Sequence, residues 1–312
     1  DKYRNLWYRT SYLFDTKQSG ERLAAERYGN YKVQPLRYKF PENFSGINSK
    51  YGNTSSSSDN RKITAAVIRE KGSNGEREMA WSLFRAGFAV KDVHMTDLIS
   101  GRENLEDVNL IVFVGGFSNA DTLGSAKGWA GAFIYNEKAA KAIENFYARP
   151  DTLSLGVCNG CQLMAELGLI TPENRSKSPK MLHNDSHKYE SAFVGVTIEG
   201  SPAIMLQSVK GASLGIWISH GEGKFDLPES ISEYSIAMRY NYKEYPGNPN
   251  GSPDGIAAVC SSDGRHLAMM PHPERSLYPH NWAWYHPERC QDEISPWIEI
   301  FTDAYKWLCK YL

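Results

Sequence analysis

The run Gly156-Val157-Cys158-Asn159-Gly160-Cys161-Gln162 holds the residues best suited to covalent chemistry. It follows the apolar stretch Leu153-Ser154-Leu155, so a buried strand is expected to end in a sharp turn, with a helix starting at Asn159. Glycines two residues before and two after Cys158 permit a cramped strand-to-helix elbow that larger side chains would block. The elbow holds the sulfur over the amide end of the helix, where unpaired N–H groups and the helix dipole favour thiolate over thiol. Cys158 therefore reads as a nucleophile. Cys161 completes a Cys-x-x-Cys pair, which leaves open a redox couple or half of a zinc site. No second pair stands at zinc-ligand spacing. The paired glycines suit an elbow better than a redox turn, and Cys161, one turn into the helix, reads as packing.

Acyl transfer by a cysteine needs a base, a group that orients the base, and donors for the oxyanion. The best base is His272, in Met270-Pro271-His272-Pro273-Glu274-Arg275, directly after the apolar run 267–270. Pro273 forces His272 into an extended conformation, and residues two apart in an extended segment point the same way. Glu274 would then lie beside the imidazole, fixing its tautomer and stabilising its charged form. Cys158, His272 and Glu274 make a candidate catalytic triad. His286-Pro287-Glu288-Arg289 repeats the same residue types but follows the polar-aromatic Trp282-Ala283-Trp284-Tyr285, which reads as a surface turn. Gly115-Gly116-Phe117-Ser118 follows a buried strand and could aim N–H groups at an oxyanion, and the N–H of Asn159 is the other natural donor. Ser219-His220-Gly221-Glu222-Gly223 is a further loop expected at the same edge, with His220 equally readable as an ordinary strand-end histidine.

These loops need a sheet to bring them together. Strands are expected at 63–68, 88–94, 110–114 and 152–157, with an amphipathic helix at 76–86 closed by Gly87 and a long helix over about 126–147. That alternation implies βαβ units and a parallel sheet covered on both faces. Beyond Thr171 the pattern turns strand-rich, at 192–198, 214–219, 235–239, 256–260 and 266–270, which should add antiparallel strands. A last amphipathic helix covers 296–311, with Ile298, Phe301, Tyr305 and Leu308 as its core face. The fold class is therefore α/β: a mostly parallel central sheet with helices on both faces and extra antiparallel strands. Residues 1–60 differ, being rich in Tyr, Arg, Lys and Asn, with one helix between Lys2 and Lys17 and a flexible composition at 53–60. They read as a connector with Trp7, Tyr8, Tyr12 and Phe14 as anchors, and 61–312 as the main domain.

The 312 residues are 41% hydrophobic, enough for a large core, and the net charge of −1 makes no case for nucleic acid or membrane as a partner. Five cysteines without framework spacing suit a reducing compartment, and no signal peptide or membrane-length apolar run is present, so the expected location is cytoplasmic. The first residue is Asp rather than Met, as in a processed or excised piece. The loop Gly72-Ser73-Asn74-Gly75 lacks the spacing and Lys-Ser/Thr of a phosphate-binding loop, so no cofactor is expected in this chain.

Taken together, these motifs resemble the triad-type (class I) glutamine amidotransferases. More narrowly, the chain resembles the C-terminal glutaminase domains of the large single-chain phosphoribosylformylglycinamidine synthases. The resemblance rests on Arg69-Glu70-Lys71-Gly72-Ser73-Asn74-Gly75-Glu76, Gly115-Gly116-Phe117-Ser118, Leu123-Gly124-Ser125-Ala126-Lys127-Gly128-Trp129, the Cys158 elbow, Ser219–Gly223, Asn248-Pro249-Asn250-Gly251-Ser252-Pro253 and the His272 segment. It implies that Cys158 attacks the carboxamide of L-glutamine, that Gly116 and Asn159 supply the oxyanion N–H groups, and that Gly115, Gln162, Ser219, His220, Gly221 and Glu222 hold the substrate. It also implies a synthetase domain, in the same or another chain, that binds ATP and magnesium and receives the ammonia, and no metal here. Two stretches depart from the family pattern. A tyrosine is missing from Phe117-Ser118-Asn119-Ala120-Asp121, and flanking arginines are replaced in His183-Asn184-Asp185-Ser186-His187-Lys188-Tyr189-Glu190-Ser191-Ala192. With the triad intact, the departures bear on coupling to the synthetase more than on chemistry. Other readings are a catalytically idle binding module on the same scaffold, or a cysteine hydrolase or redox protein of related α/β fold.

Overall fold

The computed structural model describes residues 2–51 and 63–311. The polar stretch 53–60, expected as a linker, lies outside them. In chain order the elements are α1 (Lys2–Gln18), α2 (Gly20–Asn30), β1 (Thr64–Arg69), α3 (Glu76–Ala86), β2 (Ala89–His94), α4 (Met95–Ser100), β3 (Leu110–Phe113), α5 (Lys127–Ile134), α6 (Glu137–Ala148), β4 (Leu153–Val157) and α7 (Asn159–Glu166). There follow β5 (Lys180–Leu182), β6 (Glu190–Ile198), β7 (Ser213–His220), β8 (Lys224–Asp226), β9 (Ser235–Tyr240), β10 (Ile256–Cys260), β11 (His266–Met269) and α8 (Ile298–Leu308).

One sheet organises the molecule, in the order β2-β1-β3-β4-β11-β10-β9-β6-β7. The first five strands are parallel and the remaining four join antiparallel. Strands β3 and β4 are buried along their whole length, as unbroken apolar runs require when helices cover both faces. Helix α3 packs with α8, while α4, α5, α6 and α7 pack among themselves as the other layer. Strand exchange between β1, β2 and β3 with right-handed crossovers puts those two groups on opposite faces. In α8 the residues Ile298, Phe301 and Leu308 are buried, and Tyr305 packs edge-on against Phe88.

Local differences from the sequence reading have local causes. The long helix expected over 126–147 is two, because Asn136 leaves the helical conformation and its side chain caps α6 by accepting from the Ala139 N–H (3.0 Å). A second N-terminal helix, α2, pairs with α1 through Tyr8–Tyr31 and Tyr12–Tyr28 ring contacts. Trp7 and Phe14 instead face solvent in this chain. Residues beyond α2 run along the sheet's antiparallel edge, where Lys39 bridges Ser213. Phe44 and Tyr51 enter the main core.

The elbow tests the glycine argument directly. Cys158 takes φ 53°, ψ −108°, so the unusual backbone belongs to the cysteine itself. The two glycines are needed for space. A Cβ on Gly156 would lie 2.6 Å from both the Gly160 oxygen and the Met164 sulfur, and one on Gly160 would collide with the Phe113 carbonyl. Gly160→Ala is expected to destabilise the chain by about 2 kcal/mol through overpacking, read as a lower denaturation midpoint. An unchanged midpoint would mean that α7 can lift off β3 at little cost.

Candidate active site

The carboxyl ends of the parallel strands converge where ligands bind in open α/β sheets. Register sets them level: Phe113 pairs with Gly156, Met269 pairs with Val157, and the Cys158 N–H donates to the Met269 carbonyl (2.9 Å). Gly115 therefore follows β3, Cys158 follows β4 and His272 follows β11 on one edge. The end of β7 joins them because the His272 N–H donates to the Trp217 carbonyl (2.9 Å).

His272 and Glu274 are both almost fully buried, with Nδ1 2.7 Å from Oε1. The expected geometry differs in one respect. His272 is extended, but Glu274 sits in a 3₁₀ turn, Pro273–Arg275, and the turn rather than a strand-like repeat folds the carboxylate under the ring. Burial pulls the imidazole's pKa down, and the Glu274 carboxylate and the Cys158 sulfur outweigh it, raising His272 to about 9. Its Nε2 is buried and makes no hydrogen bond among the described residues, while the neighbouring Cys158 sulfur contributes to raising its pKa. Gly115 lies against both: a Cβ there would approach His272 Cε1 to 2.9 Å and Cys158 Cβ to 3.5 Å. At rest the thiol donates to the Ser219 carbonyl at 3.4 Å.

Two backbone N–H groups on the loops that meet at this edge are unspent. Those of Gly116 and Asn159 donate to no protein acceptor among the described residues. The Gly116 backbone is held by the Gly72-Ser73-Asn74-Gly75 loop, where Asn74 N–H donates to the Gly115 carbonyl (2.9 Å) and Phe117 N–H to the Gly72 carbonyl (2.8 Å). The same loop reaches the triad's far side, since Asn74 Oδ1 accepts from Arg275, which stands 3.8 Å from Glu274. That loop, which resembles a phosphate cradle in outline, is a buttress.

Behind the nucleophile, the Asn159 side chain accepts from Ser118 N–H (3.1 Å) and donates to Gln162 Oε1 (2.8 Å). Gln162 in turn donates to the Glu222 backbone carbonyl (2.7 Å). The Glu222 carboxylate is committed elsewhere: it accepts from the Ser125 N–H and hydroxyl (2.6 Å for the latter) and lies 3.3 Å from His183. His220 is buried and held near neutral, its pKa depressed to about 3 by burial and by His272, so it cannot serve as a second cation. Gly221 is open, with no atom within 4 Å of where its Cβ would stand. Asn184, given no role in the sequence reading, is the hub of this loop. Its side chain donates to the His220 carbonyl (2.8 Å) and accepts from Gly223 N–H (3.0 Å). Only its place in the 183–192 motif marked it.

Other sequence candidates fall away from the site. Cys161 is fully buried, its thiol pKa raised well above normal by burial and by Cys158, which suits packing and not redox exchange. His286 lies in a surface turn beside exposed Glu288.

Cys158, His272 and Glu274 thus meet at a strand-to-helix elbow on the edge of an α/β sheet, an arrangement able to carry cysteine acyl transfer. The family is shown by comparison: residues 62–308 match the model of the CobB/CobQ-like glutamine amidotransferase domain, and the chain belongs to that family. Among similar curated proteins, the probable phosphoribosylformylglycinamidine synthase of Arabidopsis thaliana is 43% identical over 98% of this chain and 23% of its own length. The phosphoribosylformylglycinamidine synthase of Homo sapiens is 41% identical over 97% of this chain and 24% of its own length. The chain thus spans about a quarter of these relatives. Among solved structures, PurLQS from Thermotoga maritima superposes with a TM-score of 0.59 at 25% identity, over 80% of this chain and 99% of that one. A GMP synthase component from Thermoplasma acidophilum shares the fold (TM-score 0.52, 14% identity, 81% of this chain and 97% of that one).

Proposed function

We propose that this chain is the glutaminase part of a phosphoribosylformylglycinamidine synthase. It hydrolyses L-glutamine to glutamate and ammonia and passes the ammonia to a synthetase part, which uses ATP and magnesium to convert formylglycinamide ribonucleotide to formylglycinamidine ribonucleotide. The observation that carries the reading is the convergence of Cys158, His272 and Glu274 beneath the free N–H groups of Gly116 and Asn159. The Cys158 thiol passes its proton to His272 as its sulfur attacks the carboxamide carbon, and the oxyanion that forms is received by those two N–H groups. His272, held as imidazolium by Glu274, gives its proton to the departing nitrogen, so ammonia leaves and a glutamyl thioester remains. Neutral His272 then takes a proton from water, whose oxygen attacks the thioester. Collapse releases glutamate and returns the proton to the Cys158–His272 pair. Gln162 and the 219–223 loop, held in place by Asn184, form the wall against which glutamine lies. In this reading Glu222 serves by its backbone, while its side chain holds the Ser125 turn.

The synthetase partner is supported by the greater length of the relatives and by the solvent-facing stripe Tyr3, Leu6, Trp7 and Phe14 on α1. In the same reading, residues 1–60 form the connector and 61–312 the glutaminase domain. The unpaired thiols fit a reducing compartment such as the cytoplasm. No helix among the described residues is long and apolar enough to cross a membrane.

The test is peptide mapping after exposure to a glutamine-mimicking diazoketone. Labelling at Cys158 alone, blocked by glutamine and slowed in His272→Ala, is the expected result. Label shared with Cys161, or no label in the folded protein, would point to a redox pair or an idle module and remove the proposal.

A further inference from the structure

Next to the Cys158 site stand two aromatic rings that the mechanism does not use. Phe117 follows the Gly115-Gly116 turn, and Tyr189 immediately precedes β6. Their ring centroids are 5.8 Å apart, and the Tyr189 hydroxyl shares a hydrogen bond with the Ser219 hydroxyl. Ser219 is the residue whose carbonyl receives the Cys158 thiol (3.4 Å). A strap thus runs from the Gly115-Gly116 turn, through Phe117 and Tyr189, to Ser219 near the end of β7, whose carbonyl meets the sulfur. Both rings are about half exposed, whereas Cys158 is only 5% exposed.

The two rings differ in how they are held. The Phe117 backbone is bonded to Gly72, and the next residue to Asn159. Tyr189 is bracketed by two ion pairs to the N-terminal helices. Lys188 pairs with Asp15 of α1 (2.7 Å), and Glu190 pairs with Arg27 of α2 (3.2 Å) and accepts from Tyr245 (2.9 Å). The Tyr189 ring is therefore attached at its base to α1 and α2 and at its tip by one hydroxyl bond and one ring contact. Those tip contacts are weak enough to break and reform without unfolding anything beneath them.

We propose that Tyr189 and Phe117 form a latch over Cys158, that glutamine enters when the latch opens, and that the base of the latch is set by α1 and α2 through Lys188 and Glu190. This rests on the glutaminase reading and adds to it a residue controlling access. Tyr189 is a positioning residue: it touches Ser219 and not the reacting atoms.

The experiment measures the rate at which iodoacetamide alkylates Cys158 in the full chain, resolved by peptide mapping, with exposed Cys290 and Cys309 as internal controls. Tyr189→Phe keeps the ring and removes the hydroxyl bond, which should raise the Cys158 rate about fivefold, the population shift one neutral hydrogen bond allows. The glutamine KM should fall by a similar factor with kcat little changed, because less of the protein waits closed. Phe117→Leu should act in the same direction, and Asp15→Asn, far from the chemistry, more weakly. Cys158 rates equal to wild type in both Tyr189→Phe and Phe117→Leu would overturn the latch. So would a raised KM with an unchanged alkylation rate, since that marks a tyrosine that merely props Ser219. Failure of the glutaminase reading looks different: glutamine would then not protect Cys158 from iodoacetamide in any variant.

Discussion

Cys158→Ala is expected to lower kcat/KM for glutamine on the order of 10⁶-fold, as loss of the nucleophile does in triad enzymes, while Cys161→Ala leaves turnover near wild type. The two cysteines are one helical turn apart, yet only Cys158 stands at the elbow, beside His272. Cys161 is wholly buried in α7, with a thiol that burial keeps protonated. Its replacement removes one small buried group and should cost about 1 kcal/mol of stability. Steady-state kinetics and denaturant midpoints on both variants check this division. Loss of activity in a folded Cys161→Ala protein would show that the two sulfurs act together. The same site sets an alkaline limit. The imidazolium must survive to protonate departing ammonia, so kcat/KM should decline as pH rises through about 9, where His272 loses its proton.

Acidification from pH 7 to pH 5 is expected to destabilise the fold by about 3 kcal/mol through three histidines alone. His220 and His266 are each depressed to about 3, both chiefly by burial. His266 lies at the other end of the sheet, stacked on Tyr147 at 4.2 Å and bonded through Nδ1 to the Ser154 hydroxyl (2.9 Å). Both stay neutral in the folded chain but take up protons near pH 6.5 once unfolded, so stability falls as pH drops below that value and levels off near 3. His272 has the opposite sign. Its folded pKa is raised to about 9, so its contribution is full below 6.5 and is lost as pH rises through 9. Between pH 7 and 5 it returns only a little of what the other two remove; between pH 7 and 9 it costs about 2 kcal/mol. Urea midpoints across pH 5–9 should therefore peak near neutrality. A steady rise in stability toward pH 5 would contradict the buried neutral state of His220 and His266, and His266→Asn should flatten the acid limb.

Much of the scaffold was legible because its signals are local. Buried strands such as β3 and β4 announce themselves as unbroken apolar runs, and α3 by spacing plus a terminal Gly87 at φ 112°. The elbow was legible because steric crowding allows few residue types, and the structure shows Gly156 and Gly160 pressed against α7 and β3. The division at Asn136 was missed because its cap competes with a helical pattern that continues on both sides.

The chain's local order was enough to nominate Cys158, His272 and Glu274, since each follows a strand whose end is marked by Gly or Pro. Their meeting depends on register across β3, β4 and β11, which joins residues more than a hundred positions apart. The same holds for everything that no short pattern encodes. Asn184 organises the 220–223 loop, Glu222 turns its carboxylate to Ser125, and Tyr189 reaches across to Ser219. Their side chains are ordinary in type and spacing. What they do follows from partners brought close by the folded sheet, because a hydrogen bond is decided by position within a few tenths of an ångström and not by sequence neighbours.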